Sequence, residues 1–259
     1  MELIDSHCHI DLPAFDADRA TVLARCRDNG VSAIVVPGVQ ASGWGTLQTL
    51  CTQTAGLYPA FGLHPVYLEA HAEGDIAALE TLLGNHRPVA VGEIGLDYHV
   101  KGIDRDRQQA LFEAQLEIAR SADLPVILHV VKAHDPVLAT LKRIRVRGGI
   151  VHAFNGSLQQ AEHYRALGFS FGFGGMLTFE RSSKLRALAR ELPLESIVLE
   201  TDAPDMTVAQ HRGERNSPEY LPFCLAALAE VRDASPAEMA RVTTHNVRAL
   251  LGLPAGTLQ

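Results

Sequence analysis

Two histidines flank one cysteine near the amino terminus, His7-Cys8-His9, directly after Leu3-Ile4-Asp5. On a strand, side chains alternate, so His7 and His9 share a face and Cys8 turns to the other. That spacing, about 6–7 Å along a strand, lets two imidazoles grip one metal ion. A pair of surface histidines would have the same spacing, so the other apolar runs decide. Gly62-Leu63-His64-Pro65 closes the third such run, and Glu93 lies in Val91-Gly92-Glu93-Ile94-Gly95-Leu96-Asp97. His129 follows Val126-Ile127-Leu128, His152 follows Ile150-Val151, and Asp202 lies in Leu199-Glu200-Thr201-Asp202. Imidazole nitrogen mixed with carboxylate oxygen suits Zn, Mn, Fe or Co. The ligand types exceed the three protein ligands of a one-metal catalytic site. They fit two ions about 3.5–4 Å apart, joined by a carboxylate and a water.

In this reading His7 and His9 hold one ion, His129 and His152 the other, and Glu93 bridges them. Asp202 sits by the first ion and accepts a proton from the attacking water. The two carboxylates are thus the candidate catalytic residues. Water between two cations ionises near neutrality, so the expected reaction is hydrolysis at phosphorus or a carbonyl carbon. His64 is either a donor to a substrate phosphate or a structural residue, and Asp97 and His99, on the loop after Glu93, are candidates to orient substrate or to support the ligands from behind. Asp5 shares the face of the histidine pair and can support a ligand by hydrogen bonding. Glu200 is either a buried acid behind the ligands or a partner for an arginine. Cys8 is read as core, and His71, His86, His163, His211 and His245 as surface residues.

These side chains need a frame that brings distant strand ends together. Strands are expected near residues 3–6, 32–37, 57–62, 89–93, 126–129, 150–152, 169–173 and 197–200. They are apolar and lack polar alternation, as strands buried on both faces do. Helical segments fall between them. One spans Asp16 to Asn29 with Gly30 beyond its end. Another runs from Asp104 to Ala122 with a mostly apolar face of Leu111, Phe112, Gln115, Leu116 and Ala119. Asp135-Pro136, Ser217-Pro218 and Ser235-Pro236 read as helix starts, with Glu238 completing a capping box on Ser235. Eight strands alternating with helices predict an α/β fold, a (β/α)8 TIM-like barrel forming one domain over residues 1–259, with the chemistry at the carboxyl ends of the strands.

Composition narrows the function. A formal charge of −7, from 23 basic and 30 acidic residues, argues against a broad electrostatic footprint for duplex nucleic acid. Four cysteines without a CxxC pair read as reduced thiols. Neither a signal peptide nor an apolar stretch of membrane-spanning length is apparent, so a cytoplasmic protein without membrane contact is expected.

With these residues in place, the chain resembles the TatD family of metal-dependent hydrolases, within the amidohydrolase superfamily. The resemblance rests on IDSHCHID at 4–11, GLHP at 62–65, GEIGLDYH at 92–99, LH at 128–129, HAFNGS at 152–157 and ETDAPDM at 200–206. The stretch Arg215-Asn216-Ser217-Pro218-Glu219 resembles the family's RNxPE-like segment, and Gly95-Leu96-Asp97 with the ETDAPDM tail is nearest the YjjV-type subgroup. The resemblance implies a barrel that binds two divalent ions (Mg²⁺, Mn²⁺ or Zn²⁺) through His7, His9, Glu93, His129, His152 and Asp202. It also implies 3′–5′ exonuclease activity on DNA, with single-stranded ends the easier substrate for an acidic chain. Where many relatives follow the strand-five histidine with Ser-Arg, this chain has Val130-Val131-Lys132, a point charge in place of a bidentate donor. Lys132 and Arg215, with Arg212 and Lys184, are the cations expected to receive a phosphate backbone. Alternative readings are hydrolysis of a small-molecule ester, lactone, amide or nucleotide derivative, and editing of aminoacylated nucleic acid. Many superfamily members acting on carbonyl substrates bridge their metals with a carboxylated lysine after strand four, where this chain has Glu93.

Overall fold

The structure, a computed structural model, describes residues 1–254. Strands and helices alternate along the chain: β1 (Leu3–Asp5), α1 (Arg19–Asp28), β2 (Val31–Pro37), α2 (Trp44–Gln53), β3 (Leu57–Phe61), α3 (Asp75–Asn85), β4 (Ala90–Asp97) and α4 (Arg105–Ser121). They continue as β5 (Val126–Val131), α5 (His134–Arg143), β6 (Gly149–Val151), α6 (Leu158–Arg165), β7 (Phe169–Phe173), α7 (Ser183–Glu191) and β8 (Ile197–Leu199), followed by α8 (Leu221–Arg232) and α9 (Pro236–Leu251). The strands pair in parallel in the order β1 to β8. The Ser6 amide donates to the Leu199 carbonyl at 3.0 Å and brings β8 against the exit of β1. The expected (β/α)8 barrel is the fold; residues 255–259 of the expected domain lie outside the described residues.

The barrel interior is filled by small and branched side chains, among them Ile4, Ala33, Val35, Ala60, Ile127, Ile150 and Val198. Val247 and Leu251 of α9 join this cluster. Asn246 holds α9 there, its amide donating to the carbonyls of Leu194 (2.9 Å) and Ile197 (2.8 Å). The amino end of the barrel is therefore plugged, and the carboxyl end is left for a site.

Several boundaries differ from those expected. α1 starts at Arg19, because Pro13–Phe15 forms its own turn. α5 starts two residues earlier than expected, with Ala133 at the cap position and Asp135 inside the first turn, where it accepts from Gln160. Pro218–Tyr220 is a short 3-10 turn ahead of α8. Ser235 caps α9 by accepting from the Glu238 amide at 3.2 Å. β4 runs on to Asp97, which is thus a strand residue and not a loop residue. The cause is a bulge: Val91 pairs with Val126 but Ile94 with Leu128, so β4 spends one extra residue at Gly92-Glu93. The exit of β3 passes so close to this bulge that a Cβ on Gly62 would lie 2.7 Å from the Gly92 carbonyl carbon. Only glycine fits there.

Candidate metal centre

Glu93 is the hub of the carboxyl end. It is 1% exposed. Its Oε2 lies 3.1 Å from His7 Nε2 and 3.4 Å from His9 Nε2. Its Oε1 lies 3.2 Å from His64 Nε2 and 3.0 Å from His129 Nδ1. The two nitrogens of His7 and His9 face each other at 3.2 Å. Asp202 Oδ1 stands 3.6 Å from His7 Nε2, and its Oδ2 stands 3.6 Å from His152 Nε2. Three groups among the described residues bring ligand atoms within 4.8 Å of one another: His7 with Glu93 and His152, His7 with His9 and Asp202, and His64 with Glu93 and His129. Ring nitrogens and carboxylate oxygens converging on shared points are the donor set a divalent transition ion takes.

The partition differs from that expected. His129 stands with His64 and not with His152, whose ring centroid is 6.4 Å away. His152 instead stacks on His7 at 3.7 Å. The reason lies behind the ring. Glu200, buried under β7, places Oε1 3.1 Å from His152 Nδ1 and accepts from the Ala153 amide at 2.7 Å. Of the two roles open to Glu200, the structure shows the buried acid behind a ligand.

Other contacts orient the ligands. His9 Nδ1 lies 3.1 Å from the Pro37 carbonyl; donating there leaves Nε2 free as a ligand atom. His64 Nδ1 accepts from the Val66 amide at 3.2 Å, which puts its proton on Nε2, toward Glu93. His64 therefore braces Glu93. His71, expected on the surface, is buried with Nε2 2.9 Å from the His64 carbonyl. Gln115, the polar break in the apolar face of α4, is also buried and bonds both backbone groups of Leu63. Asp5 accepts from the amides of His7 (3.2 Å) and Thr201 (3.0 Å) and lies 2.6 Å from the Thr201 hydroxyl. Asn216 donates to the carbonyls of Thr201 and Asp205 and holds the loop that carries Asp202. Lys132, Ala153 and Asp202 take left-handed backbone conformations just past β5, β6 and β8, strain of the kind that collects at functional sites.

The charges respond to this crowding. Burial alone would raise Glu93, but the histidines around it, led by His64 and His7, hold its carboxyl well below the usual range. Burial and the neighbouring His152 keep His7 neutral. Against the effect of burial, Glu93 and then Asp202 raise His9 to about 9. Likewise Asp97 and Glu93 raise His129 to about 9, and Glu200 and Asp202 raise His152 to about 10. Burial lifts Asp202 to about 6, opposed by His152 and His9. An ionised carboxylate ringed by imidazoles favours positive charge at this point, so the donor set fits a cationic centre.

The remaining predicted residues ring the mouth. Asp97 Oδ2 lies 3.0 Å from His129 Nε2, and the exposed Lys132 Nζ lies 3.0 Å from His99 Nδ1. Arg215 is engaged elsewhere: it bonds Asp18 and the Ala14 carbonyl and covers the Phe15 ring at 4.3 Å. Beside His129, His152 and Asp202 opens a cavity of about 490 Å³ that Arg181 and Lys184 also line. Arg181 was not legible as a site residue, because β7, unlike the strands that carry the ligands, does not end in a ligand type.

A barrel whose carboxyl end gathers imidazoles and carboxylates around one buried glutamate defines the class: the protein is a metal-dependent hydrolase. The sequence profile of the family described as TatD related DNase matches residues 4–252, and the chain belongs to the TatD family. It is 42% identical over 255 residues to the uncharacterised metal-dependent hydrolase YjjV of Escherichia coli K12, covering 97% of this chain and 98% of that one. The crystal structure of that YjjV, a TatD homologue, superposes with a TM-score of 0.94 at 41% identity over 97% of this chain and 98% of that one. The chain is also 32% identical to a 3′-5′ ssDNA/RNA exonuclease TatD of Erwinia billingiae, over 98% of this chain and 100% of the relative. No helix among the described residues is long and apolar enough to cross a membrane.

Proposed function

We propose that the chain is a divalent-metal-dependent phosphodiester hydrolase that removes nucleotides from the 3′ ends of single-stranded DNA. The observation that carries this reading is the position of Glu93, one oxygen toward His7 and His9 and the other toward His64 and His129, with Asp202 alongside. A carboxylate so placed supports a two-ion site that His7, His9, His129, His152 and Asp202 would complete. Two divalent cations, Mg²⁺, Mn²⁺ or Zn²⁺, would supply Lewis-acid charge to the ester oxygens and acidify water there. Asp202, lifted to about 6 by burial, is the group placed to take the proton of the attacking water. His152 steadies it from 3.6 Å. Lys132, Arg181 and Lys184 give an otherwise acidic chain a local cationic mouth for phosphate. The relatives named 3′-5′ ssDNA/RNA exonucleases support a single-stranded nucleic acid as substrate, and four unpaired cysteines suit a reducing cytoplasm.

The test is digestion of 3′-labelled and 5′-labelled oligonucleotides with Mn²⁺ or Mg²⁺. Loss of the 3′ label first, absent in His7→Ala and Glu93→Ala, is the expected result. Digestion no faster than in those variants overturns the reading. The size of the cavity, about 490 Å³, favours a second reading, a small phosphate or carboxylic ester. Turnover on an ester and lactone panel without nuclease activity would establish it.

A further inference from the structure

The cavity beside the metal-ligand cluster has a mixed lining. His129, His152 and Asp202 supply a polar part of its lining, and Phe173, Met176, Leu185 and Leu188 an apolar part. Met206 lines it from the loop after β8, 37% exposed and held in a left-handed conformation. Hydrolysis of a phosphodiester needs only the polar part. An apolar lining in the same cavity as reacting groups binds a part of the substrate that does not react. We propose, resting on the phosphodiesterase reading, that this pocket receives one planar, base-sized group of the substrate. The phosphoryl group attached to it reaches His129, His152 and Asp202, and Arg181 and Lys184 take an adjoining phosphate.

Size and lining support this occupant. A volume of about 490 Å³ lies within the roughly 300–1,000 Å³ of pockets that hold one small organic molecule. A groove that tracks a strand covers about 4–16 nucleotides, far more than this cavity can seat. A phenyl ring and two thioethers suit the faces of a flat ring. Methionine adapts its shape and carries no strong hydrogen-bond donor, so such a lining accepts any of several bases without reading their edges. The group can come from the terminal nucleotide of a strand or from a free nucleotide ester, since both present a base on a sugar phosphate.

Calorimetric titration of the Mn²⁺-loaded protein separates these possibilities. Thymidine 5′-monophosphate is expected to bind about ten- to a hundredfold more tightly than deoxyribose 5-phosphate, the gain typical of stacking one base. Met206→Asp and Met176→Ala should each narrow that gap. Equal affinity of the two ligands for the parent protein overturns the pocket assignment while leaving a phosphate-binding hydrolase intact. If neither ligand binds, the phosphodiesterase reading and the assignment fall together. An eight-residue oligothymidylate that binds more tightly than the mononucleotide supports a strand end as occupant, and equal affinity supports a free nucleotide ester.

Discussion

Replacing Gly172 with alanine should damage the metal centre without touching any ligand. A Cβ at this position on β7 would lie 1.9 Å from Glu200 Oε2 and 2.3 Å from its Cδ. To reach an ordinary contact, the carboxylate must retreat by roughly 1.5 Å. That displacement breaks the 2.7 Å bond from the Ala153 amide and draws Glu200 away from His152 Nδ1, now 3.1 Å distant. A hydrogen bond to a charged acceptor contributes about 1.5–3 kcal/mol, so the metal-free variant should melt about 3–10 °C lower. Loss of the group that orients a ligating imidazole typically weakens metal binding about 10–100-fold. Equilibrium dialysis with Mn²⁺, run beside thermal unfolding, measures both effects. Glu200→Gln retains the Ala153 bond but loses the charge facing His152, so it should keep most of the stability and still bind metal more weakly. A folded Gly172→Ala protein with parental Mn²⁺ affinity would refute the claim that Glu200 holds His152 for the metal.

Metal affinity should climb with pH. His9 and His129 are raised to about 9 and His152 to about 10, so a cation arriving near neutrality must displace protons from them. In the metal-free chain these raised histidines contribute stability that is complete below their unfolded value of about 6.5 and is lost as pH rises through about 9–10. Mn²⁺ affinity should therefore rise, and metal-free melting temperature fall, between about pH 7 and 9; an affinity flat over that window contradicts the assignment. Burial raises Asp5 to about 8, so the folded chain keeps a proton the unfolded chain has released, and this residue's contribution falls as pH rises from about 4 to 8. Asp5→Asn can keep all three hydrogen bonds and should remove that part of the pH dependence. Asp5→Ala orphans the His7 and Thr201 amides at about 1–3 kcal/mol each. Identical thermal stability of the two variants at neutral pH would show that the Asp5 bonds contribute nothing.

The sequence by itself determined the barrel and the residue types at its carboxyl end. Both are local properties: an apolar run of strand length, a ligand type where it ends, and a helix pattern before the next run. His7, His9, Glu93, His129, His152 and Asp202 were legible because each stands beside its own strand. The tertiary structure alone decided how these residues group. Contacts such as His152 on His7, or His64 on Glu93, join segments far apart in the chain. They depend on the closure of the barrel, the bulge in β4 and the space that Gly172 leaves for Glu200. The same is true of residues whose type misled. His71 looks like a surface residue until the fold buries it against the GLHP turn, and Arg215 looks free until Asp18 meets it. Periodicity reports which face of an element is buried; which partner waits there is set by packing across the whole chain.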